Sequence, residues 1–333
     1  MGSLKVQGVV WVKVKGISNM KVLIQILGWL FFRLLQVLGW LIRILPFSFK
    51  QALAYFAGCF WFYVLGFRAR TVLLNLSYVF PRLKEESNSE FKKRIYSLAR
   101  RNFQNYFLLL FECLEKTTWS YATLQKKVRI SGLEHLKKAT QGGKGAYILA
   151  AHIGNWEVML ALSKIVNIPL SCIVRFVRNS FWDEVLKLSR TSFEVNLLSE
   201  KSSGITAFKA FKKGHLVCFV LDQHTGEPHG VLARFLGLKA WSAKGLAILS
   251  SRTGGSIIPT YSYRENGIVH VVFEEELAVE DLGECKEPEQ ILAHVQRAND
   301  RMETWIRKHP EQYFWVHRRF KAQFDYKKAT LPF

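Results

Sequence analysis

His152 and Glu157 are a pair whose types and spacing permit chemistry. An imidazole oriented by a carboxylate is a general base. On a continuous α-helix, residues five apart point about 140° away from each other, onto different faces. The two meet only if His152 lies outside a helix and Glu157 sits in or near its first turn. The flanking residues supply that context. Ala146-Tyr147-Ile148-Leu149-Ala150-Ala151 predicts a strand, and the amphipathic stretch Val158 to Val166 predicts a helix. Between them, Gly154 tolerates unusual backbone angles and Asn155 can cap a helix. A capping histidine with a surface glutamate is the plainer reading of the same spacing.

The elements around this turn alternate between strand and helix from about residue 126. Further strands are expected at 128–130, 170–175 and 216–221, with a late hairpin at 256–263 and 268–274. Helices are expected at 133–139, 180–192, around 204–213, at 242–251 and from Pro288 to Lys308, with the proline suited to a first turn. This alternation predicts an α/β domain, a mixed, mostly parallel sheet flanked by helices. Functional groups in such sheets gather at the carboxyl ends of strands. His152, Arg175 and Asp222 each fall there.

Composition bounds the partners. The chain has 333 residues, 49% hydrophobic and 14% aromatic, with a formal net charge of +21. Such a field favours polyanions: nucleic acid, anionic lipid surfaces, phosphorylated glycolipids or an acidic carrier protein. No nucleic-acid recognition motif accompanies the charge. Cysteines 59, 113, 172, 218 and 285 are scattered, with no CxxC, so neither a zinc ribbon nor a disulfide framework is expected.

Residues 1–67 are read as a basic and hydrophobic membrane-associating region, 68–325 as the α/β domain and 326–333 as a short tail. The segment from Val22 to Phe47 is long enough to cross a bilayer. On a helix, Gln25, Gln36 and Arg43 fall within about 20° of one another, with Arg33 about 80° from Gln25. One polar stripe on an apolar helix fits an in-plane interfacial helix or a tilted insertion with snorkelling arginines. The second apolar stretch, 51–67, reads equally as a membrane-dipping or a core helix. Pro81 and the polar run 84–90 are expected to split 68–118 into two helices.

Three motifs occur in order: His-x4-Glu at 152–157, Asp222-Gln223-His224-Thr225-Gly226, and Pro310-Glu311-Gln312-Tyr313-Phe314-Trp315-Val316-His317-Arg318-Arg319-Phe320-Lys321. Together they resemble the bacterial lipid A biosynthesis acyltransferase family, from the apolar N-terminal helix to about Lys321. The resemblance implies a glycerol-3-phosphate acyltransferase-like fold and transfer of a fatty acyl chain to a hydroxyl of a Kdo-bearing lipid A precursor. It implies no cofactor beyond the co-substrate, acyl carrier protein or coenzyme A thioester. The implied partners are acyl carrier protein, an anionic glycolipid and the membrane, not nucleic acid. The implied location is the bacterial inner membrane, with the catalytic domain facing the cytoplasm. Family members often carry Asp-Gln-Asp-Tyr-Gly where this chain has 222–226, and a proline where it has Phe176. The same chemistry on another glycolipid, such as a phosphatidylinositol mannoside, is the alternative.

In that frame His152 is the expected general base, and Glu157 is expected to hold its tautomer and stabilise the imidazolium. No Ser or Cys occupies the motif, so direct transfer is expected rather than an acyl-enzyme. Arg175 and Arg190 are candidates to stabilise an oxyanion or to bind a lipid phosphate. Asp222 either fixes an arginine or the substrate headgroup, or only forms a turn. Arg318 and Arg319, with Lys321, either bind phosphate at the membrane surface or pack a C-terminal segment. His224 and His229 lack the further ligands a metal site needs, so no metal is expected.

Overall fold

Helix α1 (Asn19–Ile44) contains no acidic residue. The computed structural model describes residues 19–174, 181, 185, 188, 195–199, 203–279 and 282–333. Within α1, Val22–Ile44 is long and apolar enough to cross a membrane, and Trp29, Leu34, Trp40 and Ile44 are exposed. Its polar stripe does not simply face water. Gln36 donates to the Thr117 carbonyl at 3.2 Å, and Arg43 reaches the Thr123 hydroxyl at 3.2 Å. The stripe therefore docks the helix on the protein and leaves the apolar faces outward. Gly39 makes the approach possible, because a Cβ there would sit 2.2 Å from the Leu114 carbonyl oxygen.

Helix α2 (Phe47–Phe60) starts after Pro46, continues through a π turn at Trp61–Leu65 and stops at Gly66, whose φ is +63°. Helix α3 (Ala69–Val79) leaves it at a bend of 99°. The expected break around Pro81 separates α3 from α4 (Asn88–Lys116). A Ser87–Glu90 capping box starts α4 by satisfying two otherwise orphaned amides. Both α1 and α2 lie along α4, so α4 joins the apolar N-terminal helices to the rest of the chain.

The α/β part follows in order: α5 (Tyr121–Lys127), β1 (Val128–Ser131), α6 (Leu133–Ala139), β2 (Ala146–Ala150), α7 (Leu162–Val166), β3 (Leu170–Val174), β4 (Asn196–Ser199), α8 (Ser203–Lys212) and β5 (Leu216–Val220). Then come β6 (Gly230–Phe235), β7 (Leu238–Ala243), α9 (Gly245–Thr253), β8 (Ile257–Glu265), β9 (Ile268–Phe273) and α10 (Pro288–Lys308). Seven strands form a sheet in the order β1-β9-β8-β2-β5-β3-β4. Only the β8–β9 pair is antiparallel, so the sheet is mixed and mostly parallel, as expected. Strand β2 is buried along its whole length, which its unbroken apolar run requires. Two apolar clusters cover the two faces of the sheet.

Two local expectations change, and one lies mostly outside the described residues. The helix expected from Val158 to Val166 begins as a 3-10 turn, Val158–Ala161, and becomes α-helical only at Leu162. The helix expected at 242–251 starts at Gly245, because Ser242 and Ala243 finish a strand. That strand belongs to the antiparallel hairpin β6–β7, a separate two-stranded sheet. The helix expected at 180–192 lies almost wholly outside the described residues. At the far end, the Tyr326 hydroxyl donates to the buried Asn75 carbonyl oxygen at 2.6 Å, and Phe333 packs edge-on against Phe91.

Candidate active site

Parallel register brings the site together. Strands β2 and β5 are neighbours with Ala150 opposite Val220. Two residues further along each strand stand His152 and Asp222, so both side chains leave the sheet at the same level. The Asp222 carboxylate oxygen Oδ1 accepts from the His152 backbone amide at 3.0 Å and lies 2.8 Å from His152 Nδ1. An ionised carboxylate only accepts, so the proton of this bond sits on Nδ1 and the lone pair on Nε2. Burial raises the Asp222 pKa, but the imidazole and amide facing it outweigh burial and hold the carboxyl below its ordinary range. Asp222 is 1% exposed, whereas His152 opens onto a cleft.

The imidazole is packed on its flanks. Trp156 stands edge-on with ring centroids 5.1 Å apart, and Phe314 lies 5.8 Å away. The Gln223 side-chain nitrogen is 3.4 Å from Nε2. These neighbours fix the ring's rotamer and shield the Asp222 bond from water.

The turn beneath it is specified residue by residue. Gly154 has φ +60°, and a Cβ there would lie 2.2 Å from the Ser262 carbonyl oxygen, so both conformation and space demand glycine. Asn155 is fully buried. Its oxygen accepts from the Val158 amide at 3.1 Å, and its nitrogen donates to Glu112 at 2.9 Å. Glu112 in turn pairs with the buried guanidinium of Arg264.

Glu157 pairs with a lysine of α4. It is the residue just before the 3-10 turn, and its carboxylate meets Lys116 Nζ at 3.3 Å. The same ammonium donates to the Glu157 carbonyl at 3.2 Å. The carboxylate bonded to His152 is Asp222. Lys116 is the last residue of α4, next to Glu115, which holds the buried Lys50 of α2 at 2.7 Å. One helix end thus carries both the apolar N-terminal layer and the catalytic turn.

The C-terminal motif is a brace. Ile153 and Tyr313 form an antiparallel bridge, with Gly154 N donating to Gln312 O at 3.1 Å and Phe314 N to His152 O at 3.0 Å. Gln312 pairs with both backbone groups of Arg264, and Asn102 and Asn75 hold the carbonyls of Tyr313 and Trp315. Arg319, expected at a lipid phosphate, is 1% exposed. Its guanidinium donates to the carbonyls of Gln223 and Trp241 and to the Ser242 hydroxyl. It ties the brace to the segment carrying Asp222. Arg318 lies over the Tyr326 ring at 5.8 Å and does not line the cleft. Arg319 is thus packed inside the fold, and Arg318 is half-buried beside it. Arg175 and Arg190 lie outside the described residues.

The cleft itself has a volume of about 1260 Å³. Beyond His152, Trp156 and Glu157 its walls are largely apolar, including Met159, Leu160, Leu170, Ile205 and Phe208. Gln223, His224, His229 and Lys244 supply a polar wall. Among the described residues, no group of three or more His, Cys, Asp or Glu side chains could hold a metal ion. The arrangement is a base with a fixed tautomer at the mouth of an apolar cleft. It can take a proton from a hydroxyl brought there with a long hydrocarbon.

Sequence comparison gives the chain relatives. Residues 18–322 match the family model described as bacterial lipid A biosynthesis acyltransferase. The chain is 25% identical over 251 residues to a lipid A biosynthesis palmitoleoyltransferase of Escherichia coli (strain K12), covering 75% of this chain and 77% of that protein. It is 24% identical over 262 residues to a lipid A biosynthesis lauroyltransferase of the same organism, covering 77% and 80%. It is also 30% identical over 152 residues to a phosphatidylinositol mannoside acyltransferase of Mycobacterium tuberculosis (strain ATCC 25618 / H37Rv), covering 41% and 44%.

Proposed function

Because the chain belongs to the bacterial lipid A biosynthesis acyltransferase family, we propose that it moves a fatty acyl chain from acyl carrier protein to a hydroxyl of a Kdo-bearing lipid A precursor. The observation that carries this reading is the His152–Asp222 pair at the mouth of a large apolar cleft. His152 Nε2 takes the proton of the acceptor hydroxyl as its oxygen attacks the thioester carbonyl. A C–O bond forms and the carbonyl becomes an oxyanion. Its collapse breaks the C–S bond, and the imidazolium returns the proton to the leaving thiolate. Asp222 stabilises the imidazolium in between and keeps Nε2 as the free nitrogen. Glu157 acts indirectly, by anchoring the turn on Lys116.

The proposed location draws on α1. Its outward apolar faces suit a helix inserted in the inner membrane, with the basic catalytic part on the cytoplasmic side, where anionic lipid and an acidic carrier protein are available. The similarity to a phosphatidylinositol mannoside acyltransferase supports a second reading, in which the chemistry is the same and the acceptor is a mannosylated lipid.

The test pairs purified protein with acyl carrier protein thioester and a Kdo-bearing lipid A precursor, with products read by mass spectrometry. Lipid A from cells with and without the gene gives the same answer in vivo. One added acyl chain, lost in His152→Ala, is expected. An unchanged lipid A profile together with no product in vitro overturns the reading, and transfer to a mannosylated lipid selects the second one.

A further inference from the structure

Acyl transfer passes through an oxyanion, which needs a hydrogen-bond donor close to the base. Much of the backbone around His152 is already committed. The amides of His152, Ile153, Gly154 and Val158 donate to Asp222 Oδ1, Ala151 O, Gln312 O and Asn155 Oδ1 at 3.0, 2.9, 3.1 and 3.1 Å. A side chain is better placed. Gln223 directly follows Asp222, is half-buried and lines the cleft. Its backbone is held on both sides, with the Tyr313 hydroxyl donating to the Asp222 carbonyl at 3.4 Å and Arg319 donating to the Gln223 carbonyl at 3.0 Å. The Gln223 amide nitrogen is 3.4 Å from His152 Nε2 and 3.5 Å from Nδ1. Such nearly equal distances put it over the face of the ring, because an atom in the ring plane that far from both nitrogens would overlap a ring carbon. An N–H over a π face is a favourable contact. The amide therefore leaves free the Nε2 lone pair, which points outward in the ring plane. Among the described residues the Gln223 side chain makes no other hydrogen bond. Its two N–H donors stand beside the base with no stronger acceptor to hold them.

We propose that the Gln223 side-chain amide is a catalytic donor that binds the oxyanion of the tetrahedral intermediate. This inference rests on the proposed acyl transfer and assigns a further residue to it. The acceptor oxygen, bonded through its hydrogen to Nε2, attacks the thioester carbon. The C–O bond forms, the carbonyl π pair moves onto its own oxygen, and the proton passes to Nε2. A carbonyl presented from the ring face that Gln223 covers brings that oxygen within reach of the amide, one bond from the carbon under attack. Gln223 turns an N–H from the ring to the oxygen as the charge develops. When the carbonyl re-forms and the C–S bond breaks, the proton on Nε2 goes to the leaving thiolate and the amide returns to the ring. Gln223 gives up no proton at any stage. Its contact strengthens with the charge on oxygen, so its loss falls on kcat more than on KM. The fixed backbone on either side keeps the donor in place before the reaction begins, which is what makes such a contact effective.

The experiment compares full-length wild type, Gln223→Met and Gln223→Glu in detergent, with an acyl thioester and whichever glycolipid wild type acylates. In Gln223→Met, kcat is expected to fall about 10²-fold or more, with KM and thermal melting near wild type. Gln223→Glu keeps the shape of glutamine, has no N–H when ionised and opposes the oxyanion, so it is expected at or below Gln223→Met. A packing role gives the reverse order, with Glu near wild type, and overturns the proposal. Equal kcat in wild type and Gln223→Met overturns it as well. So does a Gln223→Met loss that comes with a shifted pKa for the base in the pH profile of kcat/KM, since the residue would then act by setting His152. An acyl trifluoromethyl ketone, whose hydrate resembles the tetrahedral intermediate, gives a second readout. Its inhibition is expected to weaken in Gln223→Met in parallel with kcat/KM, while a thioether analogue of the donor binds as in wild type. Unchanged inhibition by the ketone overturns the assignment. If wild type acylates no lipid hydroxyl at all, the acyl-transfer reading fails and this donor role with it. With transfer intact, a failure belongs to Gln223 alone.

Discussion

Asp222 Oδ1 meets His152 twice, at the backbone amide and at ring nitrogen Nδ1. The carboxylate therefore fixes where the histidine's backbone lies as well as which nitrogen carries its proton. The pair arises from sheet register, Ala150 opposite Val220, and not from any local motif.

Replacing Asp222 by Asn keeps the shape and removes the charge that selects the tautomer. We expect kcat to fall by roughly 10³-fold or more, with KM little changed and the fold intact. Glu157→Gln, by contrast, leaves His152 oriented and is expected to retain more activity than Asp222→Asn. Steady-state kinetics on the two variants, side by side, give the ranking. A Glu157→Gln enzyme as dead as Asp222→Asn assigns Glu157 a direct part in the reaction.

His317 is half-buried near Asp222 and His152, and its desolvation pushes its pKa down from 6.5 to about 4. The folded state therefore holds it neutral while the unfolded chain protonates it below pH 6.5. The stability this provides is present above 6.5 and is lost as pH falls from 6.5 to about 4, by at most about 3 kcal/mol. Denaturant midpoints at pH 7 and pH 5 are expected to differ less in His317→Asn than in wild type. Equal slopes in the two proteins contradict this account.

Lys50 and Glu115 form a buried pair, 5% and 3% exposed, between α2 and α4. Lys50→Ala leaves Glu115 uncompensated and is expected to cost about 3–5 kcal/mol. Lys50→Met combined with Glu115→Leu is expected to recover most of it. Thermal unfolding in detergent measures both, and a fully stable Lys50→Ala rules out the pair as a structural anchor.

Arg319 separates bracing from substrate binding. Arg319→Ala strands the carbonyls of Gln223 and Trp241, so a loss of about 1–3 kcal/mol is expected. KM for a phosphorylated acceptor is expected to stay near wild type in the folded fraction. A large KM increase with unchanged melting returns Arg319 to the substrate.

The sheet was legible from the sequence because its strands are apolar runs with the period a buried parallel sheet requires. Residues 146–150 and 216–220 stand where expected. Other features depend on contacts far apart in sequence. Glu157 was drawn to His152 by spacing alone, yet Lys116, 41 residues away, holds it. Asp222 was read at a strand end without its partner, since strand order is not written locally. The hairpin β6–β7 turns at Leu236-Gly237, and its strands carry no clean apolar–polar alternation that would mark them. For Arg318 and Arg319 a linear reading leaves phosphate binding and packing equally open. Only the packed fold shows that one of them is enclosed.

The bridge between Ile153 and Tyr313 also sets a schedule. The backbone of the catalytic turn is completed by residues about 160 positions further along the chain. A growing polypeptide that has already made His152 and Asp222 still lacks the strand that holds them. Transfer competence is therefore expected to switch on only after the brace has been synthesised and docked, when the apolar N-terminal helix has long been available to the membrane.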